Sequence, residues 1–302
     1  MYDIIIIGGG PAGLTAALYA GRANKSVLII EKGAFGGQIT YSPKVENIPG
    51  FNVLSGNEFA EKLVEQVLNQ GAEFESDEVL EIKDGNVKTV VTEFGEFQGK
   101  AVILATGAKH RVLNLENESS LIGNGISFCA VCDGAFYKDK IVGVVGGGNS
   151  ALQEAILLSE LAKKVYVVQN LDFLTGEKKL CEQLEKKDNV EIILGSIVAG
   201  YIGENELAGI KIQKSADGSE KEISLDGLFL AVGLEPQNEP FENNVRLDER
   251  GYVQSGEDCL TDCDGIFAAG DCRQKRIRQV TTAAADGAVA ALAACDYIDK
   301  LK

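Results

Sequence analysis

Short apolar runs separated by glycine-rich turns dominate the hydrophobic pattern of the chain. Residues 4–31 read IIIIGGGPAGLTAALYAGRANKSVLIIE, which predicts an apolar strand, a turn, a helix and a second strand. Residues 142–169 read VGVVGGGNSALQEAILLSELAKKVYVVQ and align with the first segment without a gap, 138 residues later. The pattern therefore predicts two copies of the βαβ unit of dinucleotide-binding folds. Two copies in this context are far more specific than one glycine motif.

Other stretches complete the predicted elements. Residues 101–107 (AVILATG) and 265–271 (GIFAAGD) predict buried strands ending in tight turns, and such strand ends face the ligand crevice of a parallel sheet. Residues 57–70 carry apolar side chains at helical spacing and stop at Gly71, which predicts a core-packing helix. Residues 73–98 predict a small antiparallel layer of short strands with turns.

The composition places the chain among ordinary globular proteins. Its 302 residues are 45% hydrophobic, 25% charged and 7% aromatic, which excludes a disordered, collagen-like or coiled-coil chain. The length predicts two domains or one large α/β unit. Glycine is the outlier at 35 residues, many in triplets, as expected where the backbone approaches a ligand closely.

The net charge of −16 argues against nucleic acid and against an anionic membrane surface as partners, since both require clustered Lys and Arg. Residues 4–21 are uncharged, but the turn at 8–11 divides them into strand and helix, so they do not predict a membrane span. The start of the chain has no basic segment typical of a signal peptide, and its seven cysteines do not fit a secreted disulfide scaffold. We expect a cytoplasmic protein.

The first βαβ copy is complete. Gly8, Gly10 and Gly13 supply the tight turn, the close approach to a pyrophosphate and the close packing of helix on strand. Free N–H groups at the helix start favour phosphate. Glu31 ends the second strand, where a carboxylate accepts from ribose hydroxyls. The alternative is a glycine-rich turn without a ligand.

The second copy has lost the residues that recognise a nucleotide. Gly146 remains, but Ala151 replaces the third glycine and Gln169 stands where the first copy has its glutamate. NAD needs an acid at that position, and NADP needs a nearby arginine. No arginine occurs in residues 112–245, and residues 114–242 carry 11 lysines against 21 acids. The pattern predicts a retained fold with a lost nucleotide site, although Gln169 or neighbouring lysines leave a weak NADH contact open.

A pair of cysteines forms the predicted chemical centre. Cys129 and Cys132 have the C-x-x-C spacing of a redox-active dithiol. The other cysteines give no spacing that fits zinc or an iron–sulfur cluster, so we expect no metal. Asp133 adjoins the dithiol and is a candidate proton shuttle, with a turn-forming role ahead of Gly134 as the alternative.

Asp271 is the second carboxylate of interest. It stands at a predicted strand end, where it could bind a ribityl hydroxyl, while a cap for the helix starting near Gln279 is the competing interpretation.

Together these motifs make the sequence similar to the low-molecular-weight thioredoxin reductases over essentially the whole chain. The resemblance implies FAD held by residues 1–113 and 243–302, a discontinuous domain into which a redox-disulfide domain, residues 114–242, is inserted. It also implies α/β architecture with two Rossmann-like, three-layer domains, a homodimer, and a middle domain that rotates. The matching motifs are GGGPAG at 8–13, GGQ at 36–38, ENIPG at 46–50, ATGA at 105–108, CAVCDG at 129–134, GIFAAGD at 265–271 and RQVTTAA at 278–284.

The resemblance also implies residue roles. Cys132 faces the flavin, Cys129 attacks thioredoxin, and Asp133 acts as the acid–base group. Among the flavin contacts, Gln38, Asn47, Arg278 and Gln279 match positions that touch the isoalloxazine. The full set of FAD-binding positions implied is Gly8, Gly10, Pro11, Ala12, Gly13, Glu31, Lys32, Gly37, Gln38, Asn47, Val79, Thr106, Gly107, Gly270, Asp271, Arg278, Gln279 and Val280.

The departures from that family point to a particular branch. The family usually has Asp at 149, Glu at 153 and a His-Arg-Arg run from 169, whereas this chain has Asn149, Gln153 and Gln169-Asn170-Leu171. In this it is similar to the ferredoxin-dependent flavin thioredoxin reductases. The resemblance implies that electrons come from reduced ferredoxin rather than from NADPH.

A basic patch is the candidate ferredoxin contact, because ferredoxins are acidic and local patches steer association. Contacts to FAD phosphates and a solvated face are the alternatives. The predicted patch combines Lys109, His110 and Arg111 with Arg273, Lys275, Arg276 and Arg278.

Three rival functions remain open from the sequence. The chain could be an NAD(P)H-dependent thioredoxin reductase with an atypical nucleotide site. It could be a flavin dithiol oxidase that passes electrons to oxygen. It could also be a non-catalytic redox sensor, although no extra recognition segment supports that function.

Overall fold

The computed structural model describes residues 1–42 and 45–301, and the chain folds into two compact units. The second unit consists of Val45–Asn47 and His110–Leu234, and the rest of the described chain forms the first. The sequence placed the boundaries after residues 113 and 242, a few residues later than the observed divisions. The segments that connect the units pair as a two-stranded sheet of Ala108–His110 and Leu234–Pro236.

The first unit contains a seven-stranded sheet in the order β3-β2-β1-β6-β5-β4, with β17 also paired to β6. Strands β3, β2, β1, β6 and β17 run parallel, and β4, β5 and the first half of β6 form an antiparallel extension. Its elements are β1 (Tyr2–Ile7), α1 (Pro11–Arg22), β2 (Val27–Glu31), α2 (Gly56–Leu68), β3 (Glu73–Ser76), β4 (Val79–Lys83), β5 (Lys88–Thr92), β6 (Glu96–Leu104), β17 (Ile266–Ala268) and α7 (Val280–Lys300), with β7 (Ala108–His110) and β16 (Leu234–Pro236) in the connections.

The apolar run of β1 builds a core on both faces of this sheet. Ile4 and Ile6 pack with α1 and α7, while Ile5 and Ile7 pack on the opposite face with Phe241. Alternate side chains of a strand point to opposite faces, so an unbroken apolar run is what a sheet covered on both sides requires. Each isoleucine of this kind contributes roughly 1.5–3 kcal/mol on burial.

The second unit has a five-stranded parallel sheet in the order β11-β10-β9-β15-β8 and a three-stranded antiparallel sheet in the order β12-β13-β14. The helix after β9 follows the second glycine loop, as the repeat predicts. Its elements are α3 (Glu118–Leu121), β8 (Ile126–Ser127), α4 (Ala130–Asp133), β9 (Ile141–Val145), α5 (Asn149–Ser159), β10 (Lys164–Val168), α6 (Lys178–Leu184), β11 (Val190–Ile193), β12 (Ser196–Ile202), β13 (Gly209–Lys214), β14 (Glu220–Ser224) and β15 (Gly227–Leu230).

Small residues let α1 and α7 approach closely. A Cβ atom at Gly287 of α7 would lie 2.2 Å from the carbonyl oxygen of Ala12 in α1, so only glycine fits. Ala290, Ala291 and Ala294 of α7 are fully buried in the same cluster. The last helix of the chain is therefore part of the core of the first unit.

The structure confirms the α/β class and the two βαβ units, and it refines the predicted layer of residues 73–98. Only β4, β5 and β6 are antiparallel there, because β3 instead pairs in parallel with β2 at the sheet edge. The predicted helix at 57–70 is α2, with Ser55 as its N-cap. Among the described residues, none of the helices has both the length and the apolar character of a membrane span.

Candidate active site

The first glycine loop has the geometry of a dinucleotide loop. Gly8 has a φ of 111°, and a Cβ there would lie 2.2 Å from the Ala105 carbonyl oxygen. A Cβ at Gly13 would lie 1.9 Å from the Gly8 carbonyl oxygen, so the helix packs directly on the turn. Apart from Gly10 and its two chain neighbours, no described residue has an atom within 4 Å of the position of a Cβ at Gly10, which leaves room beside the start of α1 at Pro11.

Glu31 ties this loop to the end of β2. Its Oε2 accepts a hydrogen bond from the Gly9 N–H at 2.7 Å, and its Oε1 accepts from the Gly33 N–H at 2.7 Å. Each carboxylate oxygen can accept a second bond, so the predicted contact with ribose hydroxyls is chemically compatible with both. That contact remains a prediction.

The segment between β17 and α7 contains two buried polar groups without a hydrogen-bond partner among the described residues. The Oδ1 atom of Asp271 and the Nε atom of Arg278 are buried, and neither has a hydrogen-bond partner among the described residues. Burial is the main cause that raises the pKa of Asp271. A buried carboxylate oxygen without a partner is costly unless something donates to it. The site therefore fits a ligand with hydroxyl groups, such as the ribityl chain of FAD.

The competing role of Asp271 as a helix cap is wrong. The N-cap of α7 is Gln279, whose side chain accepts from the third helical residue while Thr282 accepts from the Gln279 N–H. The Arg278 guanidinium lies 4.4 Å from the centre of the Tyr252 ring.

Several other implied FAD-binding residues form hydrogen bonds or close contacts within the first unit. The Gln38 side chain donates to the Ala108 carbonyl, and the Thr106 hydroxyl donates to Asn238 Oδ1 at 2.8 Å. A Cβ at Gly270 would lie 2.8 Å from the Ala12 Cβ. Left-handed φ values occur at Gly37 (63°), Gly107 (69°) and Gly270 (80°).

The remaining implied FAD-binding residues lie in different parts of the structure. Lys32 forms an ion pair with Glu78 at 2.9 Å, and Val79 is buried in β4. Val280 is the first residue of α7. Asn47 belongs to the short segment grouped with the second unit, and its Nδ2 lies 3.9 Å from Cys132 Sγ.

Cys129 and Cys132 form a disulfide in the second unit, with a Cα–Cα distance of 5.3 Å. Both cysteines are half-buried, whereas Val131 between them is 64% exposed. The Cys132 N–H donates to Cys129 Sγ at 3.2 Å, a contact that favours negative charge on that sulfur once the bond is reduced. This N–H would stabilise a Cys129 thiolate, as the Asn47 amide, 3.9 Å from Cys132 Sγ, would stabilise a Cys132 thiolate.

Asp133 is the last residue of α4, and one of its two carboxyl oxygens has a hydrogen-bond partner among the described residues. Its Oδ2 accepts from the Ser127 hydroxyl at 2.6 Å, and its buried Oδ1 has no partner within the part of the chain that the structure describes. Burial raises the pKa of this carboxyl, opposed by the Ser127 bond. A carboxyl with a raised pKa beside a dithiol suits proton transfer to a leaving thiolate.

The second glycine loop keeps its shape but not its carboxylate. Gly146 has a φ of 130°, and α5 begins two residues after Gly147. Gln169 is buried against the loop, since a Cβ at Gly147 would lie 2.5 Å from its amide carbon. The Gln169 Nε2 atom donates to the Phe173 carbonyl at 3.4 Å.

The structure corrects the predicted basic patch. Arg273 and the Lys275 side chain are 1% and 6% exposed, and both donate to the Asp286 carboxylate. Burial lowers the pKa of His110 to about 4, so this side chain, stacked on Phe128, is uncharged at neutral pH. The sequence predicts a cluster of cations, but its spacing does not show that Arg273 and Lys275 are buried in ion pairs with Asp286.

The remaining members of that patch differ in exposure. Arg276, Lys109 and Arg111 are exposed, whereas Arg278 is half-buried beside Tyr252.

Sequence reasoning missed three residues that support the site. Asp286 also accepts from the Gly270 N–H at 3.0 Å, and Asn238 donates to the Gly251 and Cys272 carbonyls. Ser127 joins Asp133 to the Cys129 N–H. The motif residues follow from spacing in the sequence, whereas the side chains that hydrogen-bond to them are determined by the fold, even where they are close in the chain.

Comparison with known proteins agrees with this geometry. The family model for pyridine nucleotide-disulphide oxidoreductase matches residues 2–287. The thioredoxin reductase of Listeria monocytogenes is 41% identical over 304 residues, covering 100% of this chain and 95% of the relative. That of Bacillus subtilis is 40% identical over 304 residues, with coverage of 100% and 96%.

A solved structure gives the same result. The crystal structure of thioredoxin reductase from Streptococcus pyogenes superposes with a TM-score of 0.94 at 41% identity and covers 99% of each chain. The resemblance to thioredoxin reductases found in the sequence is confirmed. The chain belongs to the pyridine nucleotide-disulphide oxidoreductases, an FAD-dependent flavoprotein family, and within them to the thioredoxin reductases.

Proposed function

We propose that this protein reduces the disulfide of thioredoxin with electrons from reduced ferredoxin, passed through FAD and the Cys129–Cys132 dithiol. The observation that carries the choice of donor is the replacement of Glu31 by Gln169 at the same position of the second βαβ unit, together with the absence of arginine from residues 112–245. An adenine ribose finds no carboxylate there, and a 2′-phosphate finds no guanidinium.

The residues of the first unit fit FAD on their own geometry. The glycine loop at residues 8–13 would hold the pyrophosphate, and Glu31 would hold the adenine ribose. The unpartnered Asp271 Oδ1 and Arg278 Nε would bind the ribityl chain and the flavin end. When bound, FAD supplies the conversion between single-electron transfer from a donor and two-electron reduction of a disulfide.

The reaction with thioredoxin takes place at the Cys129–Cys132 dithiol. Reduction of the Cys129–Cys132 bond by two electrons and two protons gives two thiols, so a one-electron donor must act twice. The Cys129 thiolate attacks one sulfur of the thioredoxin disulfide, which forms a mixed disulfide and releases a thiolate that takes up a proton. Asp133 would provide that proton. Cys132 then attacks Cys129, re-forms the internal disulfide and releases reduced thioredoxin.

A nicotinamide-dependent thioredoxin reductase is the second candidate. The retained turn at Gly146 and the family to which the chain belongs both favour it. A buried glutamine that bonds Phe173 instead of a ribose argues against it. We further propose that the protein acts as a homodimer in the cytoplasm.

The experiment that separates the donors is an anaerobic visible spectrum of the FAD-loaded protein. NADPH, NADH and chemically reduced ferredoxin are added in separate cuvettes, and the flavin band is followed. We expect bleaching by reduced ferredoxin alone. Prompt bleaching by either nicotinamide would establish the conventional reductase instead, and a dithiol that bleaches the band with rapid peroxide formation in air would indicate an oxidase.

A further inference from the structure

Ser127 connects two parts of the redox centre through one oxygen atom. It is the last residue of β8 and is 6% exposed. Its hydroxyl donates to Asp133 Oδ2 at 2.6 Å, and the same oxygen accepts from the Cys129 N–H at 3.1 Å. The backbone position of Ser127 is fixed by its pairing with Phe229 of β15. The hydroxyl therefore links a rigid strand, the first cysteine and the carboxyl that follows the second.

We propose that Ser127 is a positioning residue of the redox centre, which holds the Asp133 carboxyl by its Oδ2 atom and leaves Oδ1 for proton exchange with the thiols. This inference rests on the proposed acid–base role of Asp133. It assigns that role to one oxygen, because Oδ1 is the buried carboxyl oxygen that has no partner among the described residues. A carboxyl free to rotate would exchange the two oxygens and lose this asymmetry.

The bond has a second, electrostatic effect. Hydrogen bonding to the charged form of a carboxylate lowers its pKa, in opposition to burial. Without the Ser127 hydroxyl, Asp133 would have two unpartnered oxygens in a buried place and would hold its proton to a higher pH. The difference between a hydrogen bond to the charged carboxylate and one to its neutral form corresponds to a shift of about 0.5–1 pH unit.

Few other groups near Asp133 change charge in the working range of pH. Tyr137 has a pKa raised to about 12, mainly by burial and partly by Asp133, Glu206 and Asp226, so it stays neutral. Helix α5 packs against α4 and carries Glu154, whose pKa burial raises to about 8. The two thiols titrate only when the disulfide is open. A test must therefore control for Glu154 and for the thiols.

The test is a single-turnover pH profile. The protein is reduced anaerobically with a small dithiol, freed of excess reagent, and mixed with a small aliphatic disulfide, whose leaving thiolate takes up a proton, so neither ferredoxin nor thioredoxin is needed. Wild type, Ser127→Ala and Ser127→Thr are compared, each also in a Glu154→Gln background. Exposed Ser120, which bonds only local backbone at the start of α3, gives the matched control Ser120→Ala.

We expect Ser127→Ala to move the alkaline limb of the profile, where the acid loses its proton, upward by about 0.5–1 pH unit. Its rate at neutral pH should fall three- to tenfold because the carboxyl is no longer held with Oδ1 available to the thiols. Ser127→Thr and Ser120→Ala should keep the wild-type profile. A Ser127→Ala profile that superposes on the wild type, or an equal shift in Ser127→Thr, would overturn the proposal.

A second measurement keeps the test decisive if Ser127→Ala reacts poorly. Infrared difference titration of the oxidised protein, with the carboxyl band assigned by its loss in Asp133→Asn, reports the Asp133 protonation directly. We expect the titration midpoint to rise in Ser127→Ala, and an unchanged midpoint contradicts the role of Ser127. If Asp133→Asn itself keeps the alkaline limb, the proposed acid–base function fails, and that result is separate from the position of the serine.

Discussion

Glu31 is the last residue of β2 and Gln169 directly follows the equivalent strand β10, and one side chain accepts a hydrogen bond where the other donates one. Glu31 accepts from the Gly9 N–H of its glycine loop, whereas Gln169 donates its amide hydrogen to the Phe173 carbonyl beyond its strand. The Glu31 carboxylate has two charged oxygens that can accept from a ribose, whereas Gln169 has one uncharged amide oxygen and a donor that is bonded to Phe173. This difference is the basis of our proposal that only the first loop recognises an adenosine.

The proposed thiol chemistry predicts different outcomes for the two cysteines. Cys129→Ser should reduce turnover of thioredoxin by at least three orders of magnitude, because the attacking thiolate is lost, while reduction of the flavin by ferredoxin continues. Cys132→Ser should instead trap a stable mixed disulfide with thioredoxin, since the resolving thiol is missing. Stopped-flow spectra and non-reducing electrophoresis distinguish these outcomes. A mixed disulfide that accumulates in Cys129→Ser but not in Cys132→Ser would mean that the roles are reversed, and retained turnover in Cys129→Ser would exclude the dithiol mechanism.

The corrected basic patch gives a sharper docking prediction. Arg276 is exposed, so Arg276→Glu should slow association with acidic ferredoxin about tenfold at low salt and weaken the salt dependence of the rate. Lys178→Glu is the matched control, since this side chain is 90% exposed on α6. Stopped-flow flavin reduction over a series of salt concentrations measures both. Equal rates in the two variants would exclude this part of the surface as the docking site.

Asp271 should hold FAD through its unpartnered oxygen. Asp271→Ala removes that acceptor and should weaken FAD binding by about 10- to 100-fold, corresponding to a hydrogen bond to a charged group of about 1.5–3 kcal/mol. Exposed Asp264→Ala, at the start of the same strand-and-turn segment, should bind normally. Flavin fluorescence during titration of the apoprotein gives both affinities. Wild-type affinity in Asp271→Ala would remove this residue from the site.

Asp286 should be the main electrostatic support of the first unit. Asp286→Ala leaves Arg273 and Lys275 buried without their carboxylate and should lower the free energy of unfolding by about 3–5 kcal/mol. Asp299→Ala on the same helix loses a partly exposed pair with Lys25 and should cost under about 1 kcal/mol. Urea unfolding monitored by circular dichroism measures both variants.

The same residue predicts a pH dependence. Its hydrogen bonds to Arg273 and Lys275 outweigh burial and lower the pKa of Asp286 in the folded state. Its contribution is therefore present above the carboxyl pKa of the unfolded chain and is lost as pH falls below it. Wild type should lose stability between pH 5 and pH 3 more steeply than Asp286→Asn does. Parallel curves would show that the pair is not ionised.

Glu154 predicts the opposite slope. Burial raises its pKa to about 8 in the folded state, so the unfolded chain binds fewer protons between the ordinary carboxyl pKa and pH 8. Its contribution is present at low pH and is lost as pH rises through this window. Glu154→Gln should raise the free energy of unfolding at pH 8 by about 1–3 kcal/mol, with little change at pH 4.5. Glu160→Gln, at the exposed end of the same helix, is the control.

The sequence was sufficient for features that depend on local pattern. The glycine turns, the strand ends and the C-x-x-C pair can be read from residues close together in the chain, because their geometry is fixed by neighbouring backbone. The burial of Arg273 and Lys275 depends on Asp286, more than ten residues away on another element. A run of cations in the sequence does not indicate whether its side chains are exposed to water or buried in ion pairs with a carboxylate.

The role of Ser127 was hidden for the same reason. The end of β8 lies beside α4, so the Ser127 hydroxyl reaches the Asp133 carboxyl. Residue spacing alone does not show this contact. The fold around the dithiol, rather than the motif itself, determines which oxygen of that carboxyl is available.

The packing of α7 against α1 has a consequence for the order of events during biosynthesis. The second unit is contiguous apart from three residues, so it can fold while the ribosome is still extending the chain. The first unit must wait for residues 266–300, since β17 completes its sheet and Gly287 fits against Ala12. We therefore expect the nascent chain to complete the disulfide-bearing second unit first, and the first unit, which we propose binds the flavin, only after nearly all of the chain has emerged.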